Sequence, residues 1–167
     1  MKKIFSFALA AVMLLSLGAC SEGTVPAGGE ETVDAAADTD ELSERVGFEM
    51  SVPATAKNVE CAVVNTTTGQ ITFSFNTVIY VLRGSKLVGG ELLHKKRVDN
   101  STHTQVSIGQ RATVDLYTDR DGGRIAQWYI NGTNYTLTSQ KDVSNDALTE
   151  LCDLLIPPTD NESESEN

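Results

Sequence analysis

Two histidines, three cysteines and one tryptophan in 167 residues leave little material for side-chain chemistry. His94 and His103 stand nine residues apart with no cysteine or carboxylate cluster at metal-ligand spacing, so no metal site is read. No G-x-S-x-G elbow, paired-carboxylate pattern or glycine-rich phosphate loop occurs. "TDRDGG" (118–123) only faintly resembles a calcium loop. The EF-hand spacing needs an acid at 117 and a glutamate at 128, and Tyr117 and Trp128 stand there. No cofactor is called for, and the chain reads as a non-enzyme. It has no internal repeat. Its longest apolar run, Ile4 to Leu17, is shorter than the about 20 residues of a spanning helix.

That run carries information all the same. Lys2 and Lys3 precede it, and small residues follow, as in a secretory signal. It ends in Leu17-Gly18-Ala19-Cys20, which resembles the bacterial lipobox. The resemblance implies cleavage before Cys20, a diacylglyceryl group on its sulfur and a palmitate-type acyl chain on the new amino group. Two or three acyl chains suffice for stable anchoring, at about 0.8 kcal/mol per buried CH₂. Residues 1–19 are therefore set aside as a lipoprotein signal peptide. The expected location is extracytoplasmic, lipid-anchored to the bacterial cell membrane.

Bases are absent from residues 21–44, which hold eight acids. Residues 157–167 hold four more acids and no base, after the helix-stopping Pro157-Pro158. Between them, 45–156 balance 11 basic against 11 acidic residues, so the net charge of −10 sits in the flanks. Segment 20–44 reads as a lipidated cysteine with a disordered acidic tether, because it has little to bury against its ordering entropy. Segment 157–167 reads as a disordered acidic tail. A neutral body with acidic arms argues against nucleic acid, which needs a basic face.

The body, 45–156, is long enough for one domain. Short alternating runs separated by turn residues predict a twisted antiparallel sheet of about 6–7 strands built from hairpins. Asn131-Gly132 predicts a two-residue turn that pairs Ile130 with Thr133, Trp128 with Tyr135 and Ala126 with Leu137. Trp128 then reads as core, partnered by Tyr135. For "RATVDLYT" (111–118), matching apolar faces requires an odd loop with a glycine at positive φ. That loop sets Leu116 opposite Trp128 and Val114 opposite Ile130. In 58–75 the same matching pairs Val63 with Ile71, Cys61 with Phe73 and Val59 with Phe75. The strand is expected to continue through 77–82 as a central strand, with a bulge near Asn76. "FEMSVP" (48–53) reads as a weaker strand and 101–108 as another, while 83–100 gives no clear pattern. Leu148, Leu151, Cys152 and Leu155 share one helical face behind the N-cap Ser144. The class is α+β, with this C-terminal amphipathic helix packed on the sheet.

Cys61 and Cys152 both fall on core faces. Outside the cytoplasm a disulfide between them is permitted, and two free buried cysteines are the alternative. His94 opens the one basic cluster, whose Lys95, Lys96 and Arg97 suit contact with anionic headgroups or wall polymers, or a solvated edge.

"VGFEMSVP" (46–53), "GGRIAQWYINGTNYTL" (122–137) and "SNDALTELCDLLI" (144–156) together resemble small uncharacterised lipoproteins of clostridia-type bacteria. Their C-terminal half is similar to a domain of unknown function appended to anti-sigma-factor-like membrane proteins. The resemblance implies a fold and no site residue. The expectation is a membrane-anchored surface lipoprotein whose body is a binding module for an envelope protein or a wall polymer. The alternative is a carrier or sensor of a small lipid-like ligand in a sheet–helix cavity.

Overall fold

The computed structural model describes residues 33–86 and 98–158. The signal segment, Cys20, the first part of the tether, the cluster Lys95, Lys96 and Arg97, His94 and the residues after 158 lie outside the described residues. Among the described residues the fold is α+β: one antiparallel sheet with two helices on one of its faces. In chain order the elements are β1 (Asp34–Ala36), α1 (Thr39–Val46), β2 (Lys57–Asn65), β3 (Thr68–Phe75) and β4 (Val78–Ser85). They continue with β5 (Val98–Ile108), β6 (Ala112–Asp119), β7 (Arg124–Ile130), β8 (Thr133–Ser139) and α2 (Asn145–Leu155). Spatially the strands run β1-β2-β3-β4-β8-β7-β6-β5. Two meanders thus join where β4 pairs β8.

Part of the expected tether is folded. Asp34–Ala36 pair with Val63–Cys61 of β2, and α1 follows. Asp38 caps that helix by accepting from the Asp40 and Glu41 amides at 3.0 and 2.9 Å, and the Glu41 carboxylate reaches back to the Ala37 amide at 2.7 Å. Gly47 ends it at φ 74°. The helix buries Leu42 and Val46, one turn apart, over β2 and β3. Two apolar residues among acids are a faint pattern, and tertiary burial rather than propensity holds this helix. Five acids assigned to the tether, Asp34, Asp38, Asp40, Glu41 and Glu44, therefore belong to the body.

The best-specified hairpin matches expectation. Ile130 faces Thr133, Trp128 faces Tyr135 and Ala126 faces Leu137. Asn131 and Gly132, at φ 50° and 79°, make the turn. Between β6 and β7 the odd loop and its positive-φ glycine are present. The Asp119 amide donates to Gly123 C=O at 2.8 Å, and the Gly122 amide donates to Asp119 C=O at 2.9 Å. The expected register is corrected by two residues: Val114 faces Trp128 and Leu116 faces Ala126. Both glycines fix the loop. Gly122 takes φ 84°, and a Cβ on Gly123 would lie 2.5 Å from Ser139 C=O.

The first hairpin is corrected in the same sense. Cys61 faces Ile71 and Val63 faces Gly69. A glycine stands there because α1 and the chain after it press on the sheet. A Cβ on Gly69 would lie 2.5 Å from Met50 Sδ and 3.2 Å from Leu42 Cδ1. A bulge between Lys57 and Glu60, with Asn58 at φ 51°, turns Val59 outward to 41% exposure, so it does not pair with Phe75. The strand expected to run on past Asn76 instead reverses. Asn76 and Thr77, at φ 47° and 67°, form a two-residue turn, and Phe75 faces Val78. The central position of β4 stands, but Ile79 on its outer face is exposed.

Residues 48–53 are not a strand. The Met50 amide donates to Ser43 Oγ at 2.9 Å, and Glu49 C=O accepts from Tyr135 Oη at 2.8 Å. Side chains thus satisfy backbone groups that a strand would pair. Helix α2 is as expected: the Ala147 amide donates to Ser144 Oγ, and Leu148, Leu151, Cys152 and Leu155 are buried. It packs over β5 and β7. One core holds both helices to one sheet face through Ile71, Phe73, Leu82, Val114, Leu116 and Leu137.

Candidate functional site

Among the described residues, the helix-covered face carries an opening walled by apolar rings. It starts from a row of paired residues across the sheet. Gly69 faces Gly84, Gly84 faces Tyr135, and Tyr135 faces Trp128. The two glycines leave a depression beside two large rings. Residues 47–51, leaving α1, lie over it. A Cβ on Gly84 would stand 2.6 Å from Phe48 Cε2 and 3.1 Å from Tyr135 Cε1, so only glycine admits Phe48 here.

The result is a pocket of about 250 Å³. Phe48, Leu82, Trp128, Ile130, Tyr135 and Leu155 form its apolar wall, and Lys86, Glu49, Ser51, Asn131 and Thr133 its polar part. Trp128 stacks flat on Tyr135, with centroids 5.5 Å apart and planes at 10°. Phe48 meets Tyr135 edge-on, at 6.2 Å and 84°. Trp128 is 3% exposed, so it is core as expected and still lends an edge to the pocket.

The polar groups are held. Lys86 Nζ donates to Gly47 C=O at 2.5 Å and sits 5.8 Å from the Phe48 centroid. Its own amide donates to Thr67 C=O at 3.1 Å. The Tyr135 hydroxyl is occupied by Glu49 C=O. Burial first, and then the nearby Glu49 carboxylate, raise the Tyr135 pKa above its ordinary value, while a hydrogen bond with Thr133 opposes the shift. Tyr135 thus stays a neutral wall. Two shallower depressions are polar. One lies along Val98, Asp99, Ser101 and the 118–122 turn. The other, on the outer face, runs along Thr113, Asp115, Gln127, Tyr129 and Asn134.

Of the residues singled out in the sequence, the structure brings Trp128 and Tyr135 into this pocket. Cys61 and Cys152 are both buried, and both are free thiols rather than a disulfide. Cys61 is on β2, between β1 and β3, while Cys152 is on α2, which packs over β5 and β7 at the other side of the sheet. Burial pushes the Cys152 thiol up to about 12. His103 is on the outer face, stacked on Tyr117 and 2.8 Å from the Asp115 carboxylate. Among the described residues no three His, Cys, Asp or Glu side chains gather as a metal site.

Sequence reasoning missed Phe48, Glu49, Lys86, Leu155 and Pro157 as pocket residues. The one available signal was Gly84, a glycine inside a strand, which marks close approach by another part of the chain. Comparison with protein families, with characterised proteins and with solved structures finds no match.

Proposed function

We propose that this chain is a binding module, not an enzyme, held at a bacterial cell surface by lipid on Cys20, with the pocket beneath Phe48 as its recognition site. One observation carries the binding reading: an aromatic-walled cavity of about 250 Å³ with Lys86 and Glu49 among its described lining residues. Small-ligand sites are apolar clefts with a few placed polar groups. Their usual range, about 300–1,000 Å³, lies above this volume. The occupant is therefore a small molecule, or one large side chain of an envelope partner or a wall polymer's substituent. The alternative, a carrier of an apolar ligand, draws on the same walls, and the volume limits its cargo to something shorter than a membrane lipid.

Anchoring rests on the lipobox-like "LGAC" run. Thirteen residues, 21–33, separate Cys20 from β1. Fully extended they span at most about 45 Å, which confines the module to partners near the membrane. Two measurements test the proposal. Native mass spectrometry of the full chain, after incubation with total envelope extract, is expected to show a stoichiometric adduct that Phe48→Ala weakens. A bare mass overturns the small-ligand reading. Cys20→Ser is expected to move the chain from the membrane fraction to the soluble one, and continued sedimentation overturns the lipid anchor.

A further inference from the structure

We propose that the pocket takes a free α-amino acid with a large apolar side chain. This rests on the binding reading above and specifies its ligand. Three features combine. The first is the wall: Phe48, Leu82, Trp128, Ile130 and Leu155 offer no hydrogen-bonding side chain except the buried Trp128 indole, and the Tyr135 hydroxyl is already used by Glu49 C=O. Such a wall accepts an apolar group and nothing polar. The volume suits one ring or one branched chain.

The second feature is Lys86. Its ammonium is held over Phe48 by one hydrogen bond to Gly47 C=O. An ammonium has three donors, and among the described residues this one makes no second hydrogen bond, so two remain for a ligand. The contact with Gly47, which caps α1, orients the cation without neutralising it. Among the described residues, Lys86 pairs with no carboxylate.

The third feature is Glu49. It lines the same pocket, and its charge acts on Tyr135. It too forms no ion pair among the described residues. A cation and an anion therefore share one pocket without meeting, and an apolar wall lies beside them. A ligand carrying only a carboxylate satisfies Lys86 and faces Glu49 unpaired. A ligand carrying only an amine does the reverse. A zwitterion satisfies both: its carboxylate receives the Lys86 ammonium, its amino group donates to Glu49, and its side chain fills the space against Trp128.

Trp128 is the only tryptophan in the chain, so its emission reports occupancy without labelling. The full chain is titrated with L-phenylalanine, 3-phenylpropionate and phenethylamine, none of which absorbs where tryptophan is excited selectively. These probes share the ring and carry both charges, the carboxylate alone, or the amine alone. L-Phenylalanine is expected to bind at least about tenfold more tightly than either, since a charge-assisted hydrogen bond is worth about 1.5–3 kcal/mol. Lys86→Met is expected to bring L-phenylalanine down to the level of phenethylamine. Glu49→Gln is expected to weaken L-phenylalanine while leaving 3-phenylpropionate unchanged or tighter. Both positions are exposed, and circular dichroism checks that each variant folds. Equal affinity for all three probes overturns the amino-acid assignment and leaves a binding pocket standing. No saturable response to any probe overturns the assignment, and an adduct in the native spectrum then decides whether the pocket binds another class.

Discussion

Leu42 decides whether the acidic segment ahead of residue 45 is tether or fold. Its side chain is fully buried. Replacing it with alanine removes three carbons, at about 0.8 kcal/mol each, or roughly 2.4 kcal/mol of transfer free energy. A cavity term adds to this, and its size depends on how far the site can collapse. Collapse is poor here, because the sheet residue beneath is Gly69, which has no side chain to move into the gap. The loss should be about 3–4 kcal/mol, within the range for leucine-to-alanine changes. With a urea m-value of about 2 kcal/mol/M, the unfolding midpoint should fall by about 1.5–2 M. Trp128 fluorescence reads the transition, far from the substitution in sequence and inside the same core. Glu44→Ala, on the exposed side of α1, should stay within about 0.5 kcal/mol. A midpoint for Leu42→Ala within about 0.3 M of the parent, below the resolution of a typical linear extrapolation, would refute the reasoning. Residues 34–46 would then contribute nothing to the cooperative unit.

Thr77→Gly should stabilise by about 1 kcal/mol and raise the melting temperature, because a β-branched residue held at φ 67° carries strain that glycine lacks. Asp38→Ala should cost about 1 kcal/mol in urea unfolding by removing the acceptor for two α1 amides. Cys152, raised by burial from 9.0 to about 12, should resist alkylation in the folded protein at pH 8 and react promptly in urea. Because its folded pKa lies above its unfolded one, the unfolded chain gives up a proton first. Its contribution to stability should be complete below pH 9 and decline as pH rises toward 12, read by denaturation across that window. Gly84→Ala should displace Phe48, whose Cε2 would lie 2.6 Å from the new Cβ, and weaken binding of any pocket ligand more than it lowers stability, measured by paired titration and unfolding.

The elements legible in the sequence are those where two independent signals agree. In the Asn131-Gly132 hairpin, turn chemistry and alternation select the same register, so every pair is as expected. In α2, the cap at Ser144 and the spacing of Leu148, Leu151, Cys152 and Leu155 agree. Where one signal stands alone, the reading slips. Matching apolar faces fixes which side of a strand is buried, but a shift of two residues preserves the face. Both β2–β3 and β6–β7 shift by two. Asn76-Thr77 carries no glycine, so its reversal read as a bulge in a continuous strand. In 34–46 the acids hide Leu42 and Val46, although Asp38 and Glu41 stand three apart as a capping pair should. The pocket was the least legible. Its aromatic pair was visible, but its roof and its charges come from residues 47–51 and 86, which no local pattern joins to residue 128.

What joins them is the shared register of four strands. The row Gly69, Gly84, Tyr135, Trp128 crosses the sheet from two glycines to two rings. On the glycine side the surface lies low enough for Met50 and Phe48 to settle directly on the backbone, within reach of both missing Cβ positions. On the ring side it stands high, so the loop cannot close flat against it. The pocket is the step between these levels, roofed by Phe48 and lined also by Leu155 at the end of α2 and Pro157 beyond it. Side chains on both glycines would level the step and lift the loop away. The α1 segment is what brings the loop to that step: Leu42 and Val46 bind the helix to β2 and β3, and Gly47 turns the chain toward Lys86. Loosened α1 packing should therefore disturb the pocket as well as lower stability, because Phe48 reaches the step only through the helix that Leu42 and Val46 hold to the sheet.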